Sequence, residues 1–170
     1  ATFKNDQEII MKWDEIGEQP CPIAKALSVL GDRWTMLILR NAFMGVRRFD
    51  DFQSSLGLTR HVLSDRLKRL VEHEILVKVP YVSRQQRFEY QLTEKGLDLY
   101  PILLSMMQWS ENWMGESAGK PVEFVHKNCE KKLNPKVVCA ECDAEIHVKD
   151  IQIAAGSSYL AFFEHKPKMA

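Results

Sequence analysis

Between residues 58 and 70 the chain reads LTRHVLSDRLKRL, and its apolar positions recur at a period near 3.6. Leu63, Leu67 and Leu70 stand at i, i+4 and i+7, with Val71 beside them. That spacing predicts a helix with one buried stripe. Arg60, His61, Lys68 and Arg69 lie mainly off the stripe, and Thr59 is placed to cap the first turn by accepting from a free backbone N–H. Upstream, NDQEIIMKWDEIGE predicts a short N-terminal helix, broken by Pro20, Cys21 and Pro22. IAKALSVLG predicts a helix that stops at Gly31. Asp32 then caps RWTMLILRNAF, in which Trp34, Leu37, Ile38 and Phe43 make a buried stripe and Gly45 is the stop. RRF reads as a turn or a very short strand, FDDFQSSL as a short helix, and Gly57 as the turn before the 59–70 segment. ILVKVPYV and RFEYQL predict two strands, with SRQQ as a hairpin tip between them.

From Thr93, TEKGLDLYPILLSMMQWSENWM predicts one long helix with two apolar stripes. One runs through Leu97, Tyr100, Leu104, Met107 and Met114, the other through Leu99, Leu103, Met106 and Trp113. Two stripes need two partners. The helix's own domain covers one, and a second copy of the chain is expected to cover the other, together with the N-terminal helix around Ile9, Ile10 and Trp13. Pro101 is expected to bend this helix, because it removes a backbone donor and crowds the preceding turn.

Charge changes the picture. The chain has 23 basic and 23 acidic residues and no net charge, but the balance is uneven. Residues 1–32 carry three lysines against six acids, residues 33–95 twelve basic against seven acidic, and residues 96–170 eight against ten. Every arginine lies between Arg33 and Arg87. Arginine suits bidentate contacts to phosphate and guanine. The order of elements is helix, turn, basic helix, then a two-stranded hairpin with a charged tip. This is the layout of a winged helix-turn-helix, whose second helix enters the major groove while the wing lies along the backbone or minor groove. The candidate DNA-contacting residues are Thr59, Arg60, His61, Asp65, Lys68 and Arg69 on the helix, Arg84, Gln85, Gln86 and Arg87 at the wing, and Arg48 on phosphate.

Four stretches, CPIAKALSVLGDRWTMLILR, GVRRFDDF, LSDRLKRLVEHEIL and RFEYQLTEKGLDL, occur in this order from Cys21 to about Trp113. They resemble the HxlR family of bacterial transcription regulators, within the wider MarR-like winged-helix group. The resemblance implies a homodimer that recognises a near-palindromic operator as a repressor or activator, often in stress, aldehyde or electrophile responses. It also marks Cys21, between two prolines at a helix start, as a candidate redox or electrophile sensor. A thiol at a helix N-terminus can react as thiolate, and the competing reading is a buried packing cysteine.

The tail differs in composition. ESAGKP is a small linker, and beyond it His126, Cys129, Cys139 and Cys142 give H-x2-C, nine residues, then C-x2-C. Three thiolates and one imidazole at that spacing can close a structural tetrahedral zinc site. The glycine that often follows each such knuckle is absent, with Glu130 and Asp143 in its place. The competing reading is a small hairpin appendage packed through Val137, Val138, Ile146 and Val148 without metal. Elsewhere there is no phosphate-binding glycine loop, nucleophile elbow or HExxH motif, so an enzyme is not expected. The expectation is an α+β protein. Residues 1–115 form a winged helix-turn-helix domain with a long C-terminal dimerisation helix, and residues 121–165 form a small β-rich appendage, zinc-ribbon-like if metallated. It is expected to be cytoplasmic and reduced, with no apolar run long enough to span a membrane. Its partners are expected to be double-stranded DNA, a second copy, and a small-molecule or electrophile effector. The alternative function is a winged-helix protein-interaction module without specific DNA binding.

Overall fold

The computed structural model describes residues 13–82, 87–114 and 122–152, with Ala154 and Gly156. Ile9, Ile10, the wing-tip residues Arg84, Gln85 and Gln86, the linker at 116–121 and the tail beyond 156 lie outside the described residues, as does the side chain of Trp13. The chain divides into two compact units, with a boundary between Leu37 and Ile38.

In the first unit, Trp13–Glu18 forms a 3-10 helix where the sequence predicts the end of an α-helix. It packs on α1, Pro22–Leu30. Gly17 permits the close approach, since a Cβ there would meet Ser28 at 3.0 Å. Pro22 fits the first turn of α1 because its missing N–H has no helical partner there, and Gly31 ends the helix by donating to Leu27 O at 2.8 Å. Asp32 caps as expected: its carboxylate accepts from Trp34 N at 2.9 Å and from Thr35 N at 3.2 Å. Helix α2 runs Thr35–Phe43. Its fully buried apolar positions are the adjacent pair Ile38 and Leu39, while Trp34, Leu37 and Phe43 are only half-buried. A helix covered on more than one side does not obey a single-stripe pattern.

The second unit holds the helix-turn-helix. Helix α3, Phe49–Leu56, ends at Gly57, which takes the left-handed conformation (φ 63°) that lets the chain turn sharply. Helix α4, Arg60–Glu72, starts from a Thr59 cap that accepts from Val62 N at 3.4 Å. Leu63, Leu67 and Leu70 are buried as their spacing predicts, and they join Ile38, Leu39, Phe52, Leu58, Ile75, Leu76 and Tyr90 in one core. Buried Asn41 ties α2 to α3, with Nδ2 donating to Ser55 Oγ at 2.8 Å while its Oδ1 accepts from Arg40.

Strands β1, Leu76–Val82, and β2, Arg87–Leu92, form an antiparallel hairpin in which Leu76 faces Leu92 and Lys78 faces Tyr90, with an irregularity between Pro80 and Val82. The RRF segment meets the hairpin through an isolated bridge: Arg48 pairs with Glu89, and Tyr90 N donates to Arg47 O at 2.8 Å. The predicted long helix from Thr93 is two helices, α5, Glu94–Leu97, and α6, Tyr100–Trp113. Pro101 sits in the first turn of α6, where its missing N–H removes no intrahelical bond. It therefore opens a second helix instead of bending a single one. Phe43 stacks obliquely on Tyr100 with ring centroids 4.6 Å apart, joining α2 to α6.

After the linker, β3, Val125–His126, pairs antiparallel with β4, Lys131–Lys132, and an isolated bridge joins Val138 to Glu145. Two polar contacts tether this segment to α6: Gln108 Nε2 donates to Asn134 Oδ1 at 2.6 Å, and Lys132 pairs with Glu111 at 3.1 Å. Among the described residues no helix is long and apolar enough to cross a membrane.

Candidate nucleic-acid interface

Helix α4 is oriented by its buried stripe. With Leu63, Leu67 and Leu70 turned inward, His61, Asp65, Lys68 and Glu72 point outward, and Arg60 and Ser64 are exposed at the N-terminal end. Arg60 is held loosely. Its guanidinium lies 4.9 Å from the Phe49 ring centre and 3.5 Å from Asp50, and its side chain is 72% exposed. An ion pair that open to water is worth ~0–1 kcal/mol, so phosphate can displace it. Lys68 pairs with Glu72 at 3.6 Å, one helical turn on. Asp65 pairs with Arg66, which offsets a carboxylate that would otherwise repel phosphate. A carboxylate in a groove can still accept from the cytosine amino group. Arg66 and Arg69 are half-buried at the margins of this face.

The hairpin adds a second surface. Arg87 is exposed at the start of β2, next to the wing tip. Lys78 extends across the hairpin, its ammonium 5.4 Å from the Phe88 ring centre and 5.7 Å from that of Tyr90. Tyr90 is buried, and desolvation raises its phenol above the ordinary 10.0. Arg48 is more constrained than its sequence position suggests. Its guanidinium stands 4.7 Å from the Tyr81 ring centre and 3.6 Å from Glu89. It braces the RRF segment against the wing, with its side chain 56% exposed. Pattern reading missed exposed Arg47, Ser64 and Lys78. Ser64 was accessible from the helical wheel of α4, whereas Arg47 and Lys78 depend on how the RRF segment meets the hairpin.

A helix-turn-helix whose second helix turns a basic face outward, followed directly by a braced two-stranded wing, is the arrangement on which family membership turns. The model for HxlR-like helix-turn-helix proteins matches residues 29–118, more than half of the chain. The chain belongs to the HxlR-like helix-turn-helix family. An uncharacterised HTH-type transcriptional regulator of Mycobacterium tuberculosis strain H37Rv, Rv3095, is 39% identical over 139 residues, covering 82% of this chain and 88% of that protein. The crystal structure of PA1607, described as a candidate transcription factor, superposes with a TM-score of 0.73 at 35% identity, over 82% of this chain and 98% of that one. The redox regulator HypR in its reduced form superposes with a TM-score of 0.51 at 30% identity, over 54% of this chain and 92% of that one. This HxlR protein is thus a winged helix-turn-helix transcriptional regulator.

The other candidate residues are placed as follows. Cys21 is a half-buried free thiol at the N-cap of α1, and its carbonyl accepts from Lys25 N at 3.0 Å. In the tail, Cys129 Sγ lies 3.4 Å from His126 Nδ1. The Cys139 thiol is held below the ordinary thiol range, first by the backbone N–H of Glu141 and then by the side chain and backbone of Cys142. Among the described residues, no three His, Cys, Asp or Glu side chains are already grouped as a metal ion needs.

Proposed function

We propose that this HxlR protein acts as a homodimer that reads a near-palindromic operator, with α4 in the major groove and the wing along the adjoining backbone. The observation that carries this reading is the outward face of α4, where Arg60, His61, Asp65 and Lys68 lie opposite a fully buried leucine stripe. Base contacts come from this face, and phosphate contacts from Arg60, Arg87 and the basic residues beside them. A two-fold dimer places the two α4 helices one duplex turn apart, ~34 Å.

Helix α6 supports the dimer. None of its residues is fully buried. Ile102, Met106, Trp109 and Trp113 are 44%, 51%, 59% and 77% exposed, and they recur at i, i+4, i+7 and i+11. An apolar stripe of this size on one helix marks an interaction surface. It differs from both stripes read in the sequence by including Ile102 and Trp109. Cys21 is the candidate sensor of oxidants or electrophiles, a reading supported by its position at a helix start and by the likeness to a redox regulator.

The test is footprinting on the DNA upstream of the protein's own gene, followed by titration of that duplex across salt concentrations. Specific protection with two-fold symmetry and a steep inverse salt dependence are expected. Equal weak binding to all sequences would instead favour a protein-docking role for the winged helix.

A further inference from the structure

The tail carries two turns built to one plan. In the first, His126 O accepts from Cys129 N at 3.3 Å and from Glu130 N at 2.8 Å. In the second, Cys139 O accepts from Cys142 N at 3.3 Å and from Asp143 N at 2.8 Å. Glu130 and Asp143 both adopt left-handed backbone, φ 54° and 56°, and the only other non-glycine residue to do so among the described residues is Glu74. Side chains with a Cβ resist that conformation. Each turn also closes a short hairpin, β3 with β4 for the first and the Val138–Glu145 bridge for the second. From these repeated turns we infer that His126, Cys129, Cys139 and Cys142 form a structural site for one zinc ion, with His126 binding through Nδ1.

The first pair already has the required separation. Zinc bonded to nitrogen at 2.0–2.1 Å and to sulfur at 2.3 Å in a tetrahedron sets the N···S edge at about 3.6 Å. His126 Nδ1 and Cys129 Sγ stand 3.4 Å apart. In the second turn, Cys139 and Cys142 stand at the same two-residue spacing, bracketed by the matching pair of backbone hydrogen bonds to Cys139 O. The left-handed residue after each pair turns the backbone back toward the sulfurs, the job glycine does elsewhere. One zinc ion held by both pairs would complete the tetrahedron. Each cysteine releases its thiol proton to solvent as it binds.

The segment also has no apolar core of its own. Among residues 122–152 no side chain is buried. Val137, Val138, Ile146 and Val148 are 61%, 50%, 37% and 93% exposed. The metal-free hairpin core that the sequence allowed is not formed by these residues. A short polar segment without a core is stabilised by a closed metal site in its place. Four protein ligands leave no open position for water or substrate, so the ion is structural.

The experiment is elemental analysis of the full-length protein, expressed in zinc-supplemented medium and purified without chelator or a metal column. It is joined by cobalt(II) substitution of the same protein. One zinc per chain is expected, with a cobalt spectrum showing tetrahedral geometry and thiolate charge transfer. Cys129→Ser and Cys139→Ser should each lower zinc content severalfold and remove the charge-transfer intensity of one sulfur. Glu130→Gly and Asp143→Gly keep every ligand and relieve the left-handed backbone, so they should retain zinc and resist a competing chelator as well as or up to roughly tenfold better than wild type. The proposal is overturned by metal-free protein with four titratable thiols. It is equally overturned by zinc that survives both cysteine substitutions, or by glycine variants that lose it. Because the readout is metal content, the outcome is independent of whether the protein binds its operator.

Discussion

Gly96 sits where α5 meets the start of β1, and Gly96→Ala tests whether that junction is as close as the structure shows. An added Cβ would lie 2.3 Å from the Ile75 carbonyl oxygen, 3.1 Å from Leu92 Cδ2 and 3.3 Å from the Ile75 carbonyl carbon. The obstructing oxygen belongs to the backbone and is already engaged: it accepts from Thr93 N at 3.1 Å and from Thr93 Oγ1 at 3.3 Å. Two effects oppose each other. Alanine is favoured over glycine in a helix by ~1 kcal/mol. Against this, forcing a methyl into a packed junction costs ~1–3 kcal/mol, and pulling α5 away weakens the Thr93 hydrogen bonds at ~0.5–1.5 kcal/mol each. The clash is with backbone that cannot rotate aside, so it outweighs the propensity gain, and the net destabilisation is expected at about 1–3 kcal/mol. Urea unfolding at one fixed protein concentration reads this directly. With a slope of ~1–3 kcal/mol/M, the midpoint should fall by about 1 M. Lys95→Ala, one residue away and exposed, should stay within ~0.5 kcal/mol of wild type. A Gly96→Ala midpoint at or above wild type with an unchanged slope would refute the close contact and the reasoning built on it.

Leu67, fully buried on α4, should lose ~2–5 kcal/mol on change to Ala, visible as a large drop in the urea midpoint. On the DNA side, Lys68→Ala should either reduce the salt slope by about 1 and weaken all duplexes alike, or cost ~1–3 kcal/mol at one operator position; anisotropy titrations on operator and scrambled duplexes separate the two, and no change in either would remove Lys68 from the interface. Met106→Asp places a charge in the exposed apolar stripe of α6, and sedimentation should then show monomer where wild type sediments as a dimer. A monomeric wild type at micromolar concentration would remove the dimer. Tyr90 gives a pH prediction: burial raises its phenol above 10.0, so the fold favours the neutral form. Its contribution is complete below pH 10, is lost as the pH rises through the raised folded value, and should vanish in Tyr90→Phe when unfolding is compared at roughly pH 9 and 11.

Local pattern carried much of the DNA-reading unit. The boundaries of α3 and β2, the Thr59 cap, the Gly57 turn and the burial of Leu63, Leu67 and Leu70 all follow from nearest-neighbour chemistry along the chain: periodicity, hydroxyl capping and the freedom of glycine at positive φ. The basic outward face of α4 is the complement of its buried stripe, so it was legible as soon as the stripe was. The Cys and His spacing of the tail was equally legible.

Tertiary structure decided what depends on partners distant in sequence. Adjacent Ile38 and Leu39 are both buried because α2 is covered on more than one side, which no single-stripe reading of a helix can anticipate. Arg48 reads in sequence as a phosphate contact, yet it is shared between Glu89 and Tyr81, because the RRF segment bridges to a hairpin some forty residues on. The outer stripe of α6 runs through Ile102 and Trp109, since the break at Leu99 restarts the helix and shifts which positions its own unit covers. The left-handed Glu130 and Asp143 stand where the sequence showed only missing glycines. Sequence fixes the period and chemistry of each element because those arise within a few residues, whereas exposure and pairing belong to the arrangement of elements and exist only once the chain has folded back on itself.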